Sequence, residues 1–324
     1  MRYIEFKKIV GTVESLCIAA NYELPDDVLA ALKKAAQKES HPGAAKILNQ
    51  LIENARIAAQ QRIPLCQDTG LAVVFAEQGA EVTVNPPELD TGYSILDTRK
   101  NGHENRASPQ DALRRKIEHR ETLFDAINAG VKAGYEKGYL RKSVVADPLN
   151  KRVNTNSNTP AIIHHTIVPG EALKLTVMAK GGGCENKSQF KMFKPTAERK
   201  ELIDWIVDVV REAGADACPP FVVGVGIGGD FELSCLLSKK ALLRNLARPR
   251  SCLRKKARGQ DEFYAKFEID LLSEINALGL GPQGLGGDTT ALAALVETAP
   301  CHIASLPVAV NIECHSHRHK TAII

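Results

Sequence analysis

Cys66-Gln67-Asp68-Thr69-Gly70 sets a thiol, an amide and a carboxylate side by side, then turns on a glycine into the apolar run Leu71 to Phe75. Loops of this kind, held by a rigid scaffold, are where chemistry tends to sit. A buried cysteine capping a strand is the plainer reading of the same residues. Two further cysteines share the placement: Cys218 precedes Pro219-Pro220 and the apolar run from Phe221, and Cys314 follows Val308 to Ile312. Three thiolates at strand-to-loop junctions suit a cofactor held between loops, and thiolates favour iron–sulfur clusters. Three ligands rather than four leave one iron open to substrate. Spacing alone does not single these out, because any three of the eight cysteines would serve.

Other motifs carry less. Gly224-Val225-Gly226-Ile227-Gly228-Gly229 matches a dinucleotide fingerprint literally, but that chemistry needs an acidic residue about twenty positions on for the ribose hydroxyls. None stands between Glu232 and Asp261. These glycines are read instead as sites of close backbone approach to a neighbour or a ligand. Lys180-Gly181-Gly182-Gly183 can offer backbone N–H groups and one positive charge to an anion; a flexible turn is the alternative. Cys184 follows, with no histidine near it in sequence. The tract Cys314-His315-Ser316-His317-Arg318-His319 has metal-ligand residue types, but is expected to be exposed and idle.

The elements that must position these groups follow from periodicity. Helices are expected from Pro25-Asp26-Asp27, with acidic residues at the positive end, and from about Ala44 to Gln61, which delivers the chain to Cys66. Further helices are expected over about 121–137, 197–213 (closed by Gly214), 232–246 and 262–278. Strands are expected at 71–75, 81–84, 161–168, 173–179, 221–225 and 308–312. The stretch Asn85 to His119 loses periodicity and reads as an inserted loop. The expectation is a single domain of α/β class, helices around one central mixed sheet.

Composition bounds the function. The chain has 324 residues, 44% hydrophobic and 25% charged, with net charge +4, ordinary for a globular protein. The basic cluster Arg248 to Arg258 holds no aromatic residue and reads as a solvated loop, not a nucleic-acid footprint. No run approaches the roughly twenty apolar residues of a membrane span, and Met1 to Val10 lacks the core of a signal peptide. A cytoplasmic protein is expected, and its scattered cysteines, without a CxxC pair, argue against disulfides and zinc ribbons.

Taken together, Cys66-Gln67-Asp68-Thr69-Gly70, Lys180-Gly181-Gly182-Gly183, Ala217-Cys218-Pro219-Pro220, Gly281-Pro282-Gln283-Gly284 and Ala304-Ser305-Leu306-Pro307-Val308, ending in Cys314, resemble the alpha region of the class I iron–sulfur fumarate hydratase and L(+)-tartrate dehydratase family. The resemblance runs from about residue 20 to the C-terminus. It implies a [4Fe-4S] cluster on Cys66, Cys218 and Cys314, leaving Cys184 unliganded. Asp68 is then the acid that protonates a departing hydroxyl and His302 orients it. Arg141 and Lys180 meet the charges of a four-carbon dicarboxylate, with Gln67, Gly182 and Gly183 completing the pocket. Single-chain members carry a further beta region, so a separate beta subunit in an α2β2 heterotetramer is expected. The stretch 85–119, the segment 248–258 and Cys184 depart from the family pattern. Reversible hydration of fumarate is the leading expectation, with tartrate dehydration the alternative. Two other classes stay open: a non-catalytic iron–sulfur or interaction subunit, and a nucleotide-dependent oxidoreductase.

Overall fold

The structure, a computed structural model, describes residues 1–85, 121–247 and 258–324. Nearly all of the expected insertion and of the basic cluster therefore lies outside the described residues. In chain order the elements are β1 (Arg2–Glu5), α1 (Phe6–Tyr22), α2 (Asp26–Lys38), α3 (Pro42–Gln61), β2 (Leu71–Gly79), β3 (Val82–Asn85), α4 (Leu123–Lys137), β4 (Ile162–Val168), β5 (Leu173–Lys180), α5 (Gly182–Glu185), β6 (Gln189–Phe193), α6 (Arg199–Ala213), β7 (Phe221–Gly228), α7 (Phe231–Ala241), α8 (Arg258–Asn276), β8 (Ala291–Ala299), β9 (Leu306–Glu313) and β10 (His319–Ile323). The class is α/β, as expected. Among the described residues the strands form one pair and two four-stranded sheets, rather than the single central sheet expected. Which strands join which sheet is set by contacts distant in sequence, to which local periodicity is blind. Among the described residues no helix is long and apolar enough to cross a membrane.

Contacts divide the chain into two compact units. The first comprises Met1–Ile18, Ala72–Val177 and Thr321–Ile324. It carries the sheet β10-β5-β2-β4, in which β2 runs parallel to β4 with Val73 opposite Ile162. β1 lies parallel to β3. α4 starts at a capping box in which Thr122 and Asp125 each accept the other's backbone N–H, satisfying two otherwise orphaned donors. Its Gly130 and Gly134 face α1. A Cβ at Gly130 would lie 2.6 Å from Val13 Cβ, and one at Gly134 2.8 Å from Cys17 Cβ. Only glycine permits that approach. Cys17 is packed away here, and burial, followed by Glu14, pushes its thiol up to about 12.

The second unit, Ala19–Leu71 with Met178–Lys320, holds the sheet β6-β9-β7-β8. Every residue of β7 is buried, between parallel β8 and antiparallel β9. One core gathers Ile206, Val210, Phe221, Val223, Val225, Leu271, Val296 and Ile312, each large side chain contributing about 1.5–3 kcal/mol on burial. A second joins α2 and α3 through Val28, Leu32, Leu48 and Ala58 and includes Leu65. The fingerprint-like glycines lie inside this unit's central strand. A Cβ at Gly224 would stand 2.1 Å from Ser238 O and one at Gly226 2.0 Å from Ser234 O, so they seat α7 on β7 backbone to backbone. The expected neighbour is a helix.

Candidate functional site

All of the candidate groups except Arg141 belong to the second unit. α3 ends on Arg62 in the left-handed region. Leu65 N then donates to Asn21 O at 2.9 Å, and Asn54 Nδ2 donates to Leu65 O at 3.0 Å, pinning the chain one residue before Cys66. Asp68 closes the loop with both oxygens: Oδ1 accepts Gly70 N at 2.9 Å and Oδ2 accepts Gly182 N at 2.8 Å. Its carbonyl accepts the Arg318 guanidinium. Gly70 has φ +72, and a Cβ there would stand 2.6 Å from the carbonyl carbon and oxygen of Lys180. Glycine is thus required twice over, for its dihedral and for the backbone it touches.

Cys218 sits in the left-handed region (φ 56) after the 3-10 turn Ala215–Ala217. The second glycine loop braces it. Gln283 donates to Pro219 O from its backbone N at 2.8 Å and from Nε2 at 2.9 Å, while a Cβ at Gly284 would press within 2.5 Å of Ala215 Cβ. From the other side His315 N donates to Cys218 O at 3.3 Å, tying this turn to the one that follows Cys314.

Cys66, Cys218 and Cys314 share one electrostatic neighbourhood. Burial, then repulsion from Cys314 and from Cys66, pushes the Cys218 thiol up. The Cys314 thiol is drawn down to about 5 by the neighbouring Cys184 thiol against the opposing effect of burial, with help from His315 and Ser316. Cys184 moves the other way, held protonated first by the neighbouring Cys314 and then by its burial. Cys184, Glu313 and Cys314 place their ligand atoms within 4.8 Å of one another, a set able to hold a metal ion. Sulfur donors gathered from three loops fit a thiophilic iron–sulfur group better than an oxygen-seeking cation.

Other expected residues fall differently. Lys180 is fully buried, not presented to an open surface. Its ammonium donates to Ile312 O at 2.8 Å and lies 3.3 Å from Glu185 and 3.6 Å from Glu313. Desolvation pulls its pKa down, but Glu313 and Glu185 outweigh it and the net direction is up. Glu185, despite desolvation, is drawn down to about 2 by Lys180 and Lys239. Burial raises the Glu313 carboxyl, with Lys180 and Arg318 opposing. Two carboxylates contest one ammonium, and the direction that stands is a charged Lys180. Gly182 and Gly183 open the short α5, and Gln67 is exposed, its Oε1 accepting from the Cys66 thiol at 3.3 Å. His302 lies in an exposed turn before β9, where its Nδ1 accepts Ala304 N at 3.1 Å; among the described residues no hydrogen bond joins it to Asp68. Arg141 is exposed in the first unit.

The histidine tract corrects an expectation. Ser316, His317 and Arg318 are buried, and His317 Nε2 donates to Leu242 O at 2.7 Å. Arg318, Glu313 and Ser316 are further candidate residues that reading the sequence missed. Their one signal was position, within four residues of Cys314.

The fumarate hydratase (Fumerase) family profile matches residues 10–101 and 112–323. The chain belongs to that family. The match takes in Cys66, Cys218 and Cys314 and breaks only within the stretch expected as an insertion. Among individual relatives, a protein of Methanocaldococcus jannaschii named "Putative L(+)-tartrate dehydratase subunit alpha" is 35% identical over 315 residues, covering 96% of this chain and 95% of its own. The L(+)-tartrate dehydratase subunit alpha of Escherichia coli K12 is 26% identical over 318 residues, covering 98% of this chain and 91% of its own.

Proposed function

We propose that this chain is the cluster-bearing alpha subunit of an L(+)-tartrate dehydratase, a hydro-lyase that removes water from tartrate to give oxaloacetate. One observation carries the choice: the relatives matched across nearly their whole length are named for tartrate. Fumarate hydration, the leading expectation from the sequence, stays as the second reading, in keeping with the family profile's own description.

Cys66, Cys218 and Cys314 would hold a [4Fe-4S] cluster, a fit supported by their shared electrostatic neighbourhood. When bound, the cluster supplies a Lewis-acidic iron that makes a 2-hydroxyl a better leaving group. Asp68 delivers the proton that the departing hydroxyl needs, a role that requires geometry before pKa; its side chain is held by the amides of Gly70 and Gly182. Gln67, Gly182 and Gly183 offer hydrogen bonds to the substrate. Lys180 acts from beneath, its charge anchoring β9 just before Cys314. A beta subunit supplies the rest of the pocket in an α2β2 assembly, which is taken to work in the cytoplasm.

The test is anaerobic co-purification with a beta-type subunit, followed by iron and sulfide analysis and turnover on L(+)-tartrate and on fumarate. Close to a full cluster per chain, lost in Cys218→Ser, with oxaloacetate formed from tartrate, is the expected result. A cluster with turnover on fumarate alone transfers the assignment to fumarate hydration. No iron after reconstitution overturns both.

A further inference from the structure

Cys314 differs from the other two proposed ligands in what surrounds its sulfur. The Ser316 hydroxyl lies 3.0 Å from Cys314 Sγ, and Ser316 is only 2% exposed. The buried Cys184 Sγ also stands within 4.8 Å of Cys314 Sγ. Cys66 has the opposite company, since Gln67 Oε1 at 3.3 Å is an acceptor. A sulfur bound to iron carries no proton, so at Cys314 both neighbours can only donate. The Cys184 thiol donates to Ala217 O at 3.5 Å, and an ionised Cys314 sulfur beside it is a competing acceptor for that one proton. A charged acceptor makes the stronger hydrogen bond.

Hydrogen bonds to cluster sulfurs withdraw electron density and are among the features that set reduction potential. We propose that Cys184 and Ser316 are positioning residues that raise the reduction potential of the iron–sulfur cluster through two hydrogen bonds to the Cys314 sulfur. This rests on Cys314 being a cluster ligand. Neither residue touches substrate in this scheme. Cys184, an apparent departure from the family pattern, becomes a tuning group rather than a spare nucleophile.

The test is an EPR-monitored potentiometric titration of the anaerobic holoenzyme, with iron and sulfide measured on the same samples. Cys184→Val keeps bulk and removes the donor, whereas Cys184→Ser keeps a donor. Ser316→Ala and Ser316→Thr make the matching pair. Cys184→Val and Ser316→Ala should each shift the midpoint potential downward with the cluster retained, and the hydroxyl-bearing partners should recover most of the shift. Potentials unchanged from wild type in Cys184→Val or in Ser316→Ala, with full iron and sulfide, overturn the proposal. If Cys184→Val does not fold, Ser316→Ala decides by itself. A wild-type protein that holds no cluster is a different failure, that of the ligand assignment.

Discussion

Asp68 Oδ2 accepts the amide of Gly182 at 2.8 Å, across 114 residues of chain. The carboxylate that follows the first candidate ligand is thereby locked to the glycine loop by its own functional atoms. The same side chain is both a part of the scaffold and the group closest to the proposed chemistry.

Asp68→Asn separates those two tasks. Oδ1 and Oδ2 each meet a backbone N–H, so an amide must turn its NH2 toward one of them and lose that contact. Turnover of the loaded enzyme should fall by about 10²–10⁴-fold, the usual share of a positioned acid–base group, with iron and sulfide unchanged. Unaltered turnover removes Asp68 from the reaction.

Gly70→Ala should damage the loop directly. The left-handed dihedral costs about 1–3 kcal/mol for a residue with a side chain, and the 2.6 Å clash with Lys180 backbone adds to it. Urea denaturation should show a clear loss of stability. Gly11→Ala is the control: a Cβ there meets nothing within 4 Å in the interior of α1, so the exchange should stabilise by about 0.5–1 kcal/mol.

Lys180→Met leaves Glu185 and Glu313 facing each other without their shared cation. Breaking a buried pair from one side costs about 3–5 kcal/mol, and chemical denaturation should read a loss of that order. Adding Glu313→Gln removes the stranded charge, so the double variant should be more stable than Lys180→Met alone. If the two losses simply add, the pair is not coupled.

Acid should unfold the protein from an unusually high pH. Burial holds His317 down to about 4 and His319 to about 3, against about 6.5 in an unfolded chain. Below pH 6.5 the unfolded state binds the more protons, so stability falls as pH drops through 6.5 toward these folded values. Glu185, at about 2 when folded, extends the loss from about 4.3 downward. His319→Gln should flatten the upper part of a stability-against-pH curve. An unchanged slope between pH 6.5 and 4 contradicts the assignment.

What could be read from sequence was what repeats locally. α2, α3 and α6 announced themselves by apolar spacing, and Gly214 closes α6 as expected, its N–H donating to Val210 O. α1 went unread because it has no acidic residue in its first turn and no basic one in its last. β6 and β10 are short and largely unburied, so they carry no alternation to detect. At the site, the three cysteines stood out by their junctions and by resemblance. The burial of Lys180 did not, because its partners Glu185 and Glu313 close separate elements, a short helix and a strand far along the chain. Nor did the burial of His317, which depends on Leu242 offering a carbonyl from another element.

Arg318 reaches back to the carbonyl of Asp68, 250 residues earlier, and β9 joins the sheet only by pairing with β6 and β7. Contacts of such long sequence separation close late, because loop entropy is spent before they return any stabilisation. The three thiols therefore converge only after this unit has largely folded. A cluster delivered to the nascent chain would meet scattered cysteines, while one delivered to the finished unit meets a ready-made nest. For the proposed cluster, such an order of closure would put the polypeptide first and iron second.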